Sequence, residues 1–326
     1  MFQQSQFTPA WWLKNPHLQT LSAKWLKRKQ HINTITETIE LPDGDFIDID
    51  WTEKPSANNT KPIVVVLHGL EGSKESHYAK GILSAIQAKG WIGLLMHFRG
   101  CSGRPNRHIS SYHSGDTRDI RYLSSLLKQR YQACKFGLIG YSLGGNVAVK
   151  YLASLEENSQ HIYQCAAVIC APLHLSSCSD RINRGFSKVY QNYLVTMLKQ
   201  HALEKLQSHK ISHLNTKKLS AIKTVREFDQ HVTAPLNNFL DAEDYYQKAS
   251  GRDDLAKISL PCLIIHAQDD PFLSHADITD IDTLPDNIEF EVSQFGGHVG
   301  FIGSNQFAKP YFWLEQKIPD YLQDYL

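Results

Sequence analysis

Residues 136–146 read Phe-Gly-Leu-Ile-Gly-Tyr-Ser-Leu-Gly-Gly-Asn, and this stretch decides the fold. Its apolar opening has the character of a strand, and Asn146 to Leu155 has that of a helix. Between them stands Gly140-Tyr141-Ser142-Leu143-Gly144, a G-x-S-x-G pentapeptide in the strand–turn–helix setting of a nucleophile elbow. The requirement is steric. Ser142 must sit on a sharp, strained turn so that its hydroxyl stands clear of the sheet. A Cβ at 140 or 144 would strike the neighbouring strand or helix, so both positions call for glycine.

Working outward, Ile63–Leu67 is a continuous β-branched run, as expected for a strand buried on both faces of a parallel sheet. A helical pattern over Tyr78–Lys89 ends at Gly90, and Trp91–Phe98 predicts the next strand. Gly115–Tyr131 is helical, and Ala166–Cys170 is a strand stopped by Pro172. Upstream, Thr36–Leu41 and Phe46–Trp51 flank Pro42-Asp43-Gly44-Asp45 and predict a β-hairpin. Strand rhythm returns at Pro261–Ala267 and Ile288–Val292, and Glu315–Leu326 predicts a closing helix. This alternation places the chain in the α/β class, with a mostly parallel twisted sheet and helices on both faces.

The rhythm breaks between Leu173 and Lys257, where the pattern is helical. The expected organisation is an α/β core over 36–172 and 258–326, interrupted at 173–257 by a helical cap. An insertion there would lie over the C-terminal edge of the sheet, where such folds place ligands. Residues 1–35 predict an N-terminal arm packed on the core. In it Phe7, Trp11, Trp12, Leu13, Leu18, Leu21, Trp25 and Leu26 interleave with Lys14, Lys24, Lys27, Arg28 and Lys29. Its tryptophans are expected to pack against the domain, with Pro16 interrupting any long helix. A weak membrane-surface contact through the same basic, aromatic segment is the second reading.

Composition narrows the function. A formal net charge of +1 lacks the basic excess of a nucleic-acid protein. Six cysteines include no C-x-x-C pair and read as buried small apolar groups in a reducing compartment. Sixteen histidines show no H-E-x-x-H or other ligand spacing, so no metal is expected. No apolar stretch is long enough to span a bilayer and Met1–Ala10 lacks a signal-like apolar region, so the expected location is cytoplasmic.

A serine hydroxyl needs a histidine to take its proton and a carboxylate to orient that histidine. With this elbow the order along the chain should be serine, acid, histidine. After the strand at Leu263–His266 comes Gln268-Asp269-Asp270-Pro271, and after the last strand comes Gly296-Gly297-His298-Val299-Gly300. His298 is the expected base. Asp270 is the preferred acid, being three residues past Ala267, with Asp269 as the alternative or as a turn-former or helix cap. The oxyanion donors expected are the backbone N–H groups of Leu143, just after the nucleophile, and of Leu70 in His68-Gly69-Leu70-Glu71-Gly72-Ser73. His68 is expected to be structural. Arg99, past a strand end, is expected to be buried or half-buried and to hold the Arg99–Gly103 loop through backbone hydrogen bonds; facing the active-site edge to bind an acidic substrate group is the alternative.

With these residues in view the chain resembles the α/β-hydrolase superfamily, and within it the AB-hydrolase-4 family. The more specific pieces are Asn15-Pro16-His17-Leu18-Gln19-Thr20 and Phe98-Arg99-Gly100-Cys101-Ser102-Gly103. Asp269-Asp270-Pro271-Phe272 and Gly296–Phe301 add to them, so the likeness covers nearly the whole length. The resemblance implies a serine hydrolase of carboxylic esters that works through an acyl-enzyme without a cofactor. Its substrate would be a short- to medium-chain acyl ester or an acylglycerol. Acyl transfer to an alcohol by the same residues is the alternative, and a non-catalytic ligand-binding fold is the remaining one.

Overall fold

The protein is described by a computed structural model that covers residues 2–26, 31–155, 162–211, 214–278, 284–305 and 307–326. The arm's Lys27, Arg28 and Lys29 lie outside the described residues. Nine strands among those described build one sheet: β1 (Phe2–Gln4), β2 (Ile35–Glu40), β3 (Phe46–Trp51), β4 (Ile63–Leu67), β5 (Ile92–Met96), β6 (Phe136–Tyr141), β7 (Tyr163–Ile169), β8 (Cys262–Ala267) and β9 (Ile288–Ser293). Their order is β1-β9-β8-β7-β6-β4-β5-β3-β2. Six of the eight pairings are parallel; only β2–β3 and β3–β5 run antiparallel. The sheet is therefore mostly parallel, as the βαβ rhythm requires.

Alternate residues of each strand serve two cores. Ile63, Val65 and Leu67 join one cluster with Leu123, Leu127, Val147 and Ala148. Val64 and Val66 join the other with Ile82, Leu83, Ile86, Ile318 and Leu322. Following α1 (Pro16–Leu26) and α2 (His77–Ala88) come α3 (Arg118–Arg130) and α4 (Leu143–Ala153). Between β7 and β8 lie α5 (Leu175–Ile182), α6 (Ser187–Ser208), α7 (Thr216–Ala221), α8 (Val225–Phe228), α9 (Ala234–Leu236) and α10 (Ala242–Ala249). They bury Val195, Leu214, Leu219 and Phe228 in a small core of their own. The chain closes with a two-stranded ribbon, β10 (Ile302–Ser304) and β11 (Pro310–Phe312), and then α11 (Leu314–Gln323). So α3 and α4 cover one face of the sheet, and α2 and α11 the other.

The arm meets expectation only in part. Its first residues add a strand that no pattern marked: β1 lies parallel beside β9. No helix runs through Pro16, which instead opens the 11-residue α1, where its missing N–H costs nothing. Trp12 packs against Ala10, Leu13 and Ile302, but Trp11 and Trp25 do not pack on the domain; they are 73% and 68% exposed. Phe7, Ala10, Leu13, Gln19 and Ala23 are buried in their place. Among the described residues no helix is long and apolar enough to cross a membrane.

Candidate active site

β6 ends in the turn that carries Ser142. The residue has φ 51° and ψ −121°, a left-handed-side conformation that costs a non-glycine residue about 1–3 kcal/mol. The surroundings enforce it. The Ser142 N–H donates to Ile169 O at 2.8 Å, and Ser142 O accepts the Gly145 N–H at 2.9 Å, opening α4. A Cβ on Gly140 would lie 2.5 Å from Gly144 O, and one on Gly144 would run into the carbonyls of Leu67 and His68 at the end of β4. The helix can follow the strand this closely only because neither residue has a side chain.

The loops after β8 and β9 bring the acid and the base to the same edge of the sheet. His298 Nε2 lies 2.9 Å from Ser142 Oγ, and His298 Nδ1 lies 2.8 Å from Asp270 Oδ2. An ionised carboxylate only accepts, so Nδ1 carries the ring proton and the lone pair of Nε2 faces the serine hydroxyl. Asp270 is buried, and its other oxygen accepts the Phe272 N–H at 2.8 Å. Asp269 points elsewhere. It stands in the turn that the Asp270 N–H closes onto Ala267 O at 3.2 Å, as a turn-former and not a helix cap; its Oδ1 accepts the Gly297 N–H at 2.9 Å, and burial pushes its carboxyl up to about 6. Adjacent aspartates thus hold one loop at two places, Asp270 at the imidazole and Asp269 at the backbone.

Across from the elbow runs the loop after β4. A Cβ on Gly69 would sit 3.2 Å from Ser142 Cβ, which places this loop directly against the serine. Its backbone is fixed by tyrosines: the Gly69 N–H donates to Tyr78 Oη at 2.8 Å and the Glu71 N–H to Tyr112 Oη at 2.9 Å. Neither the Leu70 nor the Leu143 N–H donates a hydrogen bond among the described residues. His68 is fully buried beneath them. Its Nδ1 pairs with Gly69 O at 2.7 Å and its Nε2 accepts the Phe98 N–H at 3.1 Å. Burial pushes its pKa down to about 3, so it stays neutral and structural.

A cavity of about 870 Å³ opens over Ser142. Gly69, Leu70, Leu143 and His298 form its floor, while Leu194, Met197, Leu198, Leu214, Phe228 and Val232 supply an apolar wall. Asn146 ties α4 to the helices above, donating to Ser114 O and Ala249 O and accepting the Gly251 N–H. On the far wall His201 of α6 pairs with Glu71 at 2.6 Å. Arg99 also borders the cavity, but not as expected. It holds no backbone carbonyl; its guanidinium is clamped by Asp119, Asp43 and Asp45, because a buried cation needs anionic partners more than dipoles.

Cys170, Asp270 and His298 place a sulfur, an oxygen and a nitrogen within 4.8 Å of one another. This trio does not suit a metal. The carboxylate and imidazole already engage each other, and burial pushes the Cys170 thiol far above its usual range, away from the thiolate a metal requires.

Three contributors were not read from the residues. Phe272 stacks on the His298 ring, with centroids 4.1 Å apart and planes 19° from parallel. Thr20 Oγ1 accepts the His298 N–H at 2.9 Å, and Gln19 braces the same loop through Ile302. All three lie in stretches that carried the family likeness, but no periodicity or spacing marks such long-range contacts.

A half-buried serine that lines a cavity from a strand–helix turn, at the C-terminal edge of a mostly parallel sheet, is the arrangement of an α/β hydrolase. The same class emerges from comparison with known proteins. A family model described as alpha/beta hydrolase fold matches residues 62–304, and the chain belongs to that family. "Putative esterase YheT" of Escherichia coli is 42% identical over 99% of this chain and 94% of its own length. A monoacylglycerol lipase of Saccharomyces cerevisiae is 30% identical over 79% of this chain and 59% of its own. Phospholipase ABHD3 of Mus musculus is 24% identical over 91% and 73%. Among solved structures, the Pyrococcus furiosus esterase Pf2001 superposes with a TM-score of 0.58 at 16% identity, covering 91% of this chain and 95% of that one. That likeness establishes the fold. The chain is an α/β hydrolase of the esterase and lipase type.

Proposed function

We propose that the protein is a carboxylic ester hydrolase in which Ser142, His298 and Asp270 act as a catalytic triad on short- to medium-chain acyl esters or acylglycerols. The observation that carries this reading is the unbroken series Ser142 Oγ–His298 Nε2 and His298 Nδ1–Asp270 Oδ2, at 2.9 and 2.8 Å, under an apolar cavity. Ser142 Oγ attacks the acyl carbonyl carbon as its proton passes to His298 Nε2. The carbonyl π pair moves to the oxygen, where the Leu143 and Leu70 N–H groups meet the new charge. The pair returns, the C–O bond to the alcohol breaks, and His298 gives its proton to the departing oxygen. A water then repeats the steps on the acyl-serine and releases the acid. The helices of 173–257 serve as a cap that shields the acyl-enzyme; the core comprises 36–172 and 258–326, and residues 1–35 form the arm. No cofactor is required. Six free cysteines, five of them buried, suit a reducing compartment such as the cytoplasm.

A second contact is proposed at the cavity mouth. Leu18 and Trp25 share the outward face of α1, 45% and 68% exposed, beside Val189 and Tyr193 of α6 and Phe186 at its N-cap, which are about as exposed. Lys24 lies 5.4 Å over the Tyr193 ring. This apolar and basic rim suits weak contact with an anionic lipid surface, and flotation with vesicles before and after Trp25→Ser would measure it.

The main test uses a fluorophosphonate probe with p-nitrophenyl esters of increasing acyl length. Labelling at Ser142 and loss of turnover in Ser142→Ala and His298→Ala are expected. A folded protein that neither labels nor turns over any ester would sink the proposal in favour of a ligand-binding fold. Faster product formation with an added alcohol would redirect it to acyl transfer.

A further inference from the structure

The arm contains no group that takes part in the proton transfers above, yet it reaches the histidine that does. Gln19 of α1 is wholly buried and its amide is fully engaged. Nε2 donates to Leu13 O at 2.8 Å and to Ile302 O at 3.0 Å, and Oε1 accepts the Ile302 N–H at 2.7 Å. The next residue, Thr20, accepts the His298 N–H at 2.9 Å while its own hydroxyl proton goes to Pro16 O at 2.8 Å. One of the two lone pairs of its oxygen thereby meets this backbone N–H.

The other side of the contact is equally specific. A Cβ on Gly297 would lie 2.5 Å from Pro16 O and 2.7 Å from Thr20 Oγ1, and one on Gly300 would lie 2.5 Å from Gln19 O. Gly297, which also takes φ 57°, and Gly300 let the backbone of α1 approach. The loop also contains Val299 at φ 58° and Phe301 at φ 44°. A β-branched and an aromatic residue hold such angles only where the surroundings impose them. Phe7 of the arm packs on Phe301 with centroids 5.2 Å apart and planes tilted by 59°, and Trp313 stacks on the same ring at 5.7 Å.

We propose that the N-terminal arm is part of the catalytic site. Thr20, with Gln19 behind it, is a positioning residue that fixes the backbone of His298 so that one imidazole meets both Ser142 and Asp270. The inference rests on His298 as the base and adds to it the element that sets its place. Two atoms held at 2.8 and 2.9 Å tolerate little drift, and a misplacement of about 1 Å costs on the order of 100-fold in rate.

The experiment compares wild type, Ser142→Ala, Thr20→Val, Thr20→Ser and Gly300→Ala in the full chain, with circular dichroism as the check on folding. Turnover of one p-nitrophenyl ester gives kcat and KM, and fluorophosphonate labelling gives the reactivity of Ser142 apart from ester binding. Thr20→Val removes the acceptor at nearly constant volume, and Gly300→Ala pushes the helix off the loop from the other side. Each is expected to lower kcat about 10- to 100-fold with KM within about twofold, and to slow labelling by the same factor. Thr20→Ser keeps the acceptor and should stay within about threefold of wild type. The inference is overturned if Thr20→Val matches wild type, if the loss lies in KM alone, or if Thr20→Ser fails as badly as Thr20→Val. If Thr20→Val does not fold, Gly300→Ala carries the same kcat and labelling criteria. Should Ser142→Ala retain wild-type turnover, the serine mechanism itself has failed, and that outcome is read separately.

Discussion

The serine side and the histidine side of the cleft are held by opposite means. Everything that shapes Ser142 lies within a few residues of it or on adjoining strands: Gly140, Gly144, the end of β4 and Ile169 O. What shapes His298 comes from far away. Thr20 is 278 positions upstream, Asp270 is 28 upstream, and Phe272 in turn stacks on Tyr190 of α6 at 4.9 Å. The nucleophile is placed by short-range sterics, and the base by contacts gathered from the arm, the acid loop and the cap helices. Damage to the first should therefore be all-or-none, and damage to the second graded.

The largest effect should come from Gly144→Ala. Its methyl would meet the Leu67 and His68 carbonyls, backbone that cannot turn aside. We expect a loss of about 3–5 kcal/mol in urea unfolding, or no folded protein, with no esterase activity; a stable, active variant would break the contrast. On the histidine side, Asp270→Asn should keep its fold and lose about 10⁴ in kcat, whereas Asp269→Asn should lose about tenfold or less, since an amide oxygen can still accept the Gly297 N–H. Equal losses in the two would mean that the acid cannot be separated from the loop staple. Phe272→Ala removes a stacked ring worth about 1 kcal/mol, so kcat should fall by roughly fivefold to tenfold with only a small drop in the urea midpoint.

The smallest effect on activity, yet a measurable one on stability, should come from Asp229 in the helices above the site. Burial raises its carboxyl from 3.8 to about 6, against the opposing hydrogen bond from Tyr246 Oη at 2.7 Å. A folded-state pKa above the unfolded value means that the fold binds the proton more tightly. This contribution strengthens the fold as pH drops through about 6, is complete below about 4, and is absent at pH 8, where an ionised carboxylate stays buried. At about 1.4 kcal/mol per unit the difference is about 3 kcal/mol. Asp229→Asn should therefore raise Tm over wild type at pH 8 and show little gain at pH 4. A gain that is larger at pH 4 would reverse the assignment.

Legibility followed the same division. β4 spans Ile63–Leu67 as expected, because a β-branched run between turn residues has few alternatives. Ser142 and His298 were identifiable because each needs glycines beside it and a place after a strand. Asp270 and Asp269 could only be ranked, since one residue of register decides which carboxylate meets the ring. β1 was invisible: Phe-Gln-Gln has no pattern of its own and is a strand only because β9 presents an open edge. The partners of Arg99 were missed for a similar reason, as Asp43 and Asp45 sit in a turn that reads as solvated. Thr20 marks the limit, a hydroxyl whose importance depends on a backbone amide that no local rule connects to it.

That β1 lies against β9 has a consequence for biosynthesis. β1 must wait for β9, which follows it by more than 280 residues. At about 5–20 residues per second, Thr20 leaves the ribosome roughly 15–55 s before His298 does. Throughout that interval the arm lacks its partners at β9 and at the His298 loop. A chain not yet extended past His298 lacks the base of the proposed triad, so ester cleavage must wait for that residue.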